Sequence, residues 1–276
     1  MEIDITATPD PVLGDGAVVT TAAAVAVVAS LWAVAVLALR LRRGEPAIPS
    51  RPHAAACWGG GDVAAVLLGY LTLVTVLAGF IPEETALAPR LVANAVTTLL
   101  AAGLGIALLR SRGADWEMLG LRSASVAGDL RLAVFALALV VAPILALAGV
   151  LDRIEPYRHP VVDFLTEHRD IGSLALVLLA AVVVAPIAEE FFFRRVLQGW
   201  LENRMSESRG GAVVVSAAAF ALAHWGQGLA YVPLFPFGLV LGAIALKTGS
   251  IVPCILLHAM FNAVSIAVVL LTVPPA

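Results

Sequence analysis

Six polar residues stand in stretches that are otherwise apolar: Glu189, Glu190, Arg194, His224, His258 and Asn262. An ionisable group held in hydrocarbon costs ~3 kcal/mol or more, so such residues mark function by default. Three short motifs hold them: Glu189-Glu190-Phe191-Phe192-Phe193-Arg194, then Phe220 through His224, then His258 through Asn262. On a helix, Glu190 and Arg194 are four apart and can pair along one face. Glu189 points about 100° away from Glu190, because each residue turns the helix by that amount. It has no local basic partner and is the carboxylate left for chemistry. His258 and Asn262 are also four apart and present two polar groups on one face.

A carboxylate beside a histidine, in apolar surroundings, suits a general base that activates water. The imidazole of His258 and the amide of Asn262 are donors suited to an oxyanion. The reaction class is hydrolysis of a carbonyl bond without a covalent enzyme intermediate, with no cofactor and no metal required. Ser216 is two helical turns from His224, and no Ser or Cys stands beside a His at a nucleophile's spacing. Plainer roles exist for each residue. Glu189 can be a snorkelling or paired carboxylate, and Glu190 with Arg194 a structural salt bridge. His224 can donate to a backbone carbonyl, and His258 with Asn262 can knit helices together. Two other functions use the same residues. One is a zinc hydrolase, with Glu189, His224 and His258 as ligands and water as the fourth. The other is a transporter or scaffold without catalysis.

The elements that must position these groups are membrane helices. The chain of 276 residues is 61 % hydrophobic and 13 % charged, about half the charge of a soluble chain. Long intervals carry no charge at all, including 16–39, 63–82, 91–109, 132–151, 171–188 and 210–246. Most are close to the ~20 apolar residues that cross ~30 Å of hydrocarbon, and backbone in lipid must bond internally, which makes them helices. The 210–246 interval is too long for one span; Trp225-Gly226-Gln227-Gly228 and Pro233 divide it. The expected fold is all-α, a polytopic membrane bundle of about eight spans: 17–39, 63–80, 91–109, 132–151, 171–200, 210–225, 233–246 and 251–272. With a single span and a re-entrant loop in place of the two short spans, there are seven.

Orientation follows from the 17 basic residues. With the N-terminus outside, 13 fall on the cytoplasmic side: Arg40, Arg42, Arg43, Arg51, Arg110, Arg112, Arg122, Arg131, Arg194, Arg195, Arg204, Arg209 and Lys247. Arg90, Arg153, Arg158 and Arg169 remain outside. Both termini are therefore expected outside, with the acidic leader (Glu2, Asp4, Asp10, Asp15) in keeping. That leader lacks the basic start of a signal peptide. No basic tail points to nucleic acid. Cys57 and Cys254 show no pairing or metal spacing.

The chain reads as one membrane domain, 1–276, in which 1–170 support and 171–272 work, because spans one to four hold no ionisable residue in their interiors. Residues 40–61 read as a linker. Residues 110–130 read as either an interfacial amphipathic segment or a loop. His159 and His168 read as solvated surface. The 171–200 and 210–225 spans form a hairpin turning near 204–209. Glu189 and His224 are equidistant from that turn, about 25 Å along each helix. His258 and Asn262 lie about 15 and 20 Å below the next turn at Thr248–Gly249, which puts the four groups near one depth towards the cytoplasmic face. Pro186 removes a helix hydrogen bond just before the glutamates and is expected to kink that span.

The ordered triple Glu-Glu-x-x-x-Arg, Phe-x-x-x-His and His-x-x-x-Asn inside late spans resembles the CPBP family. These are the CAAX proteases and bacteriocin-processing enzymes, also called the Abi family of intramembrane glutamic endopeptidases. The resemblance covers roughly residues 171–265, and Leu119-Gly120-Leu121-Arg122 resembles an upstream segment of many members. It implies that Glu189 and His224 activate water, that His258 and Asn262 stabilise the oxyanion, and that Glu190 and Arg194 support them. It also implies a membrane-associated peptide or protein substrate, cut near the cytoplasmic face by an enzyme embedded in the lipid bilayer. The Ala-, Val- and Arg-rich composition suggests a prokaryotic plasma membrane.

Overall fold

The structure, a computed structural model, describes residues 13–82, 85–157 and 159–272. Most of the acidic leader, and Arg158, lie outside them. Nine helices and no strand form among the described residues: α1 Leu13–Arg42, α2 Gly60–Gly79, α3 Leu87–Ser111, α4 Val126–Ile154, α5 Pro160–Glu167, α6 Ile171–Arg204, α7 Arg209–Leu222, α8 Tyr231–Thr248 and α9 Val252–Thr272. Seven are long and apolar enough to cross a membrane; α5 and α7 are not. The 14 residues of α7 rise only about 21 Å, short of the hydrocarbon thickness. The 210–246 interval does divide as the sequence implies, but the break is the turn 223–230, and Pro233 sits inside the first turn of α8. Proline is tolerated there because the first helical amides have no partner in the helix.

Local signals set several helix ends. The Asp170 carboxylate accepts from the amide of Ser173 at 3.0 Å and caps α6, and Ser125 caps α4 through the amide of Gly128. Gly249 closes α8 at φ +66°, a conformation glycine adopts without strain. Its Cα faces the ring of His53, so a side chain there would also collide.

The helices pack around two large cores that meet at α6, and a smaller cluster of Phe164, Leu165 and Val177 joins α5 to α6. One joins α2, α3 and α6 through Val63, Val66, Leu109, Phe191, Phe192 and Val196. The other joins α4, α7, α8 and α9 through Val140, Phe220, Phe237, Leu241, Leu257 and Phe261. Phe193 of α6 touches both. The α1 helix lies at the edge against α4 and α9. Its Val25, Val28, Leu31 and Trp32 are largely exposed, as on a helix facing lipid.

The turns at 43–59, 112–125, 205–208 and 249–251 meet at one end of the bundle, the end that carries most of the basic residues. The linker there is bound rather than loose. Trp58 is buried and donates its indole N–H to Val196 O at 3.0 Å. Arg51 binds the buried Asp129 at 2.6 Å, and its amide donates to Lys247 O at 2.9 Å. Residues 112–125 are turns, not an amphipathic helix. Trp116 is half-exposed beneath Arg110, while Leu119 is fully buried. Gly120 O accepts from Ile251 N at 3.0 Å and from the Ser250 hydroxyl at 3.2 Å. Arg195 reaches Met118 O. The Leu119–Arg122 segment therefore docks on α6 and on the start of α9.

Candidate active site

Helix α6 is irregular where the chemistry is expected. It is π-helical over Leu179–Val184 and again over Glu190–Leu197, with an α-helical turn, Ala185–Glu189, between them. Such widened turns occur often at functional sites. Pro186 sits in the middle turn and has no amide to give. In the π register its partner would be the carbonyl five residues back, at Ala181. That carbonyl is taken instead by Asn262 of α9, whose Nδ2 donates to it at 2.8 Å. The expected effect of Pro186 is thus met by a changed helical register and a side chain from a neighbouring helix.

Glu190 and Arg194 pair as their spacing predicts, with Oε2 and Nε 3.2 Å apart and both side chains fully buried. The ring of Phe220 covers one face of the guanidinium at 4.5 Å. The other oxygen of Glu190 meets His258, with Oε1 to Nδ1 at 2.9 Å. Since Glu190 is ionised against Arg194, the ring nitrogen is the donor. The second nitrogen, Nε2, faces Glu189 Oε2 across 3.8 Å. Phe220 and Phe237 stand edge-on to the ring and fix its plane. The sequence does not indicate which of the two glutamates the third motif meets. Glu190 is therefore not only the partner of Arg194: it also orients His258.

Glu189 keeps about a quarter of its side-chain surface exposed, whereas Glu190 has none. It opens into a cavity of about 340 Å³ that His224 also lines. Their equal distance from the α6–α7 turn does place them together: each lies 15 residues, about 22 Å, from its own end of the hairpin. His224 donates Nδ1–H to Phe220 O at 2.9 Å, since a carbonyl can only accept. This is the plain role foreseen for it, yet it leaves Nε2 of the ring without a partner among the described residues.

His258 lies six residues, about 9 Å, from the start of α9, yet it touches Glu190, about 21 Å from the end of α6. The α6–α7 hairpin therefore projects about 12 Å, roughly two turns, beyond the 249–251 turn. The common level is not close to the basic end on every side. The 223–230 turn after His224 packs Gly228 against Tyr157, in the connection from α4 to α5 at the opposite end.

The other wall of the cavity comes from the half of the chain read as support. Tyr70 and Val74 of α2 and Asn94 and Thr98 of α3 line it, with Tyr70 close enough to Glu189 to sense its charge. No charged residue lies in the interiors of these spans, so the absence of charge hid their part in the site. Phe191 is core, while Phe192 and Phe193 also line the cavity. Trp225 is exposed and stacks on Tyr231.

His159 is not plain solvated surface. It is half-buried, caps α5 by accepting from Val161 N at 3.2 Å, and lies within electrostatic reach of His224. Burial first, then the proximity of His224, holds its pKa below the ordinary value, against the opposing charge of Asp163. His168 is exposed and stacks on Phe164.

The described residues bring no three His, Cys, Asp or Glu side chains together in a metal-binding group. Glu189, His224 and His258 are spread between the cavity and the Glu190 contact, which is no three-ligand geometry for zinc.

Comparison with known proteins adds one finding. Residues 171–264, about a third of the chain, match the family model described as Type II CAAX prenyl endopeptidase Rce1-like. The match holds all three motifs, and it supports the CPBP resemblance and points to a membrane protease. No curated protein and no solved structure matches the chain.

Proposed function

We propose that this protein is an intramembrane endopeptidase of the glutamic type, which hydrolyses a peptide bond of a membrane-associated protein or peptide. The observation that carries the reading is the cavity shared by Glu189 and His224, set between α2, α3, α6 and the turn that follows α7. Water held there is activated by the Glu189 carboxylate, with Nε2 of His224 as a second acceptor. Both can take the proton that the attacking oxygen loses. His258 presents Nε2 to the same region, 3.8 Å from Glu189. Protonated, that nitrogen is a donor for the developing oxyanion. Asn262 uses one amide hydrogen on Ala181 O and keeps a second for the same purpose. Glu190 and Arg194 hold His258. The substrate reaches the site within the bilayer, and the N-terminus lies outside, with the basic end of the bundle facing the cytoplasm.

The test is a comparison of membrane peptides from cells, or proteoliposomes loaded with membrane proteins, with and without the protein. The reading expects new termini in membrane-proximal segments, formed equally well under strong chelation. Products that vanish under chelation would favour zinc, and a membrane peptidome with no new termini would contradict proteolysis.

A further inference from the structure

Glu190 and Arg194 are the first two members of a longer row. Gln198 and Glu202 follow at the same four-residue spacing on α6, and all four side chains are buried or nearly so. The row runs for about 18 Å from the candidate site towards the basic end. There Glu202 faces Arg209 at 3.9 Å, and the Arg209 side chain is about half exposed. An apolar helix face would be expected to avoid such a row, because each buried polar group left without a partner is costly.

The row is incomplete as protein alone. Gln198 donates Nε2–H to Glu202 Oε1 and to Gly242 O, both at 2.9 Å. Both partners are acceptors, which fixes the amide: turned over, its oxygen would face two other oxygens. Gln198 Oε1 is then a buried acceptor without a partner among the described residues. Arg194 is in the same position as a donor. Its Nε is near Glu190 but misaligned for a hydrogen bond, and Nη1 and Nη2 have no acceptor among the described residues. Donors without acceptors and an acceptor without a donor, one helical turn apart, are complementary to a molecule that accepts and donates at once. Water does so, and buried water commonly completes about three such bonds.

We propose that Arg194 and Gln198 bind internal water, and that protons pass between the site and the basic end of the bundle by hopping along that water between the Glu202 carboxylate and the Glu190–His258 pair, with Arg194 and Gln198 holding the water and not relaying the proton themselves. Gln198 is a positioning residue in this arrangement: it touches no substrate and acts through Arg194 and Glu190 on His258. The proton route rests on the reading of the site as hydrolytic; the water site does not.

Two measurements decide between these claims. A structure in lipid nanodiscs, at a resolution that shows ordered water, is expected to place water in hydrogen-bonding contact with both the Arg194 guanidinium and Gln198 Oε1. A dry cavity, or a direct Arg194–Gln198 hydrogen bond, overturns the water site, whether or not the protein cleaves anything. For the route, Gln198→Met keeps length and removes both polar atoms, and Glu202→Gln keeps the hydrogen-bonding shape and removes the charge. Each is expected to lower kcat about tenfold, the scale on which outer partners of reactive groups act. KM should be unchanged, and the solvent deuterium isotope effect on kcat should rise as proton delivery becomes limiting. An unchanged isotope effect in folded Glu202→Gln protein overturns the route. Absence of any cleavage by the unaltered protein would contradict the peptidase reading instead.

Discussion

His258 and Glu190 meet at 2.9 Å, Nδ1 to Oε1, although 68 residues separate them and Glu190 already faces Arg194. The contact joins the third motif to the first and fixes which face of the imidazole Glu189 sees. Arg194, Glu190 and His258 therefore act as one unit, and a change in any of them is felt at the others.

Removing the cation should show this most clearly. Arg194→Met leaves Glu190 buried with one partner fewer, and breaking a buried pair from one side costs about 3–5 kcal/mol. The double variant Arg194→Met/Glu190→Gln should recover much of that loss. Chemical denaturation in detergent micelles measures both. Equal stability of the single and double variants would show that the pair is not coupled.

Asn262 and Pro186 should be coupled through Ala181 O. In a membrane interior, a hydrogen bond between helices contributes about 1 kcal/mol. Asn262→Leu should cost about that in the native chain, and less in Pro186→Ala, where a backbone amide at 186 can serve the carbonyl. A double-mutant cycle on stability reads the difference; strictly additive losses would contradict the account of the kink.

The cap of α6 gives a pH dependence. The Ser173 hydroxyl, then its amide, hold the Asp170 carboxyl below its ordinary value of 3.8. A depressed carboxyl contributes stability that is complete above its unfolded pKa and is lost as pH falls through the folded one. The melting temperature of Asp170→Ala should therefore lie below that of the native chain at neutral pH, with the gap closing below about pH 4. Melting curves across that range decide it, and a constant gap would contradict the cap.

Much of the architecture is legible in the sequence because hydrocarbon imposes it. Gaps between charges locate the spans, and the Trp225–Gly228 segment marks the divided hairpin. The equal distance of Glu189 and His224 from the turn anticipates the cavity they share. What escapes is long-range packing. Nothing local indicates that His258 seats on Glu190, since either glutamate could face α9. Tyr70, Asn94 and Thr98 carry no charge, so a search for intramembrane ions passes over them. Gln198 is neutral and Glu202 lies in a polar stretch near the turn, so neither stands out until α6 is seen to bury both. The 43–59 segment looks like a linker by composition, yet Arg51 and Trp58 bind it to α4 and α6.

That binding should be measurable by itself. Trp58→Phe removes the indole donor to Val196 O and keeps most of the ring, a loss of about 1 kcal/mol. The 43–59 segment should then be cut faster by added protease, while Trp116→Phe, whose ring is half-exposed, should leave the rate unchanged. Equal cutting rates in all three proteins would show that Trp58 does not hold the segment.

The most direct test is peptide-bond cleavage by purified, reconstituted Glu189→Gln protein. The substitution keeps shape and removes the base from the cavity that His224 shares, so cleavage should fall by about 100-fold or more, with the melting temperature held. Cleavage at the native rate in folded Glu189→Gln protein would contradict the assignment of Glu189 and with it the proposed mechanism.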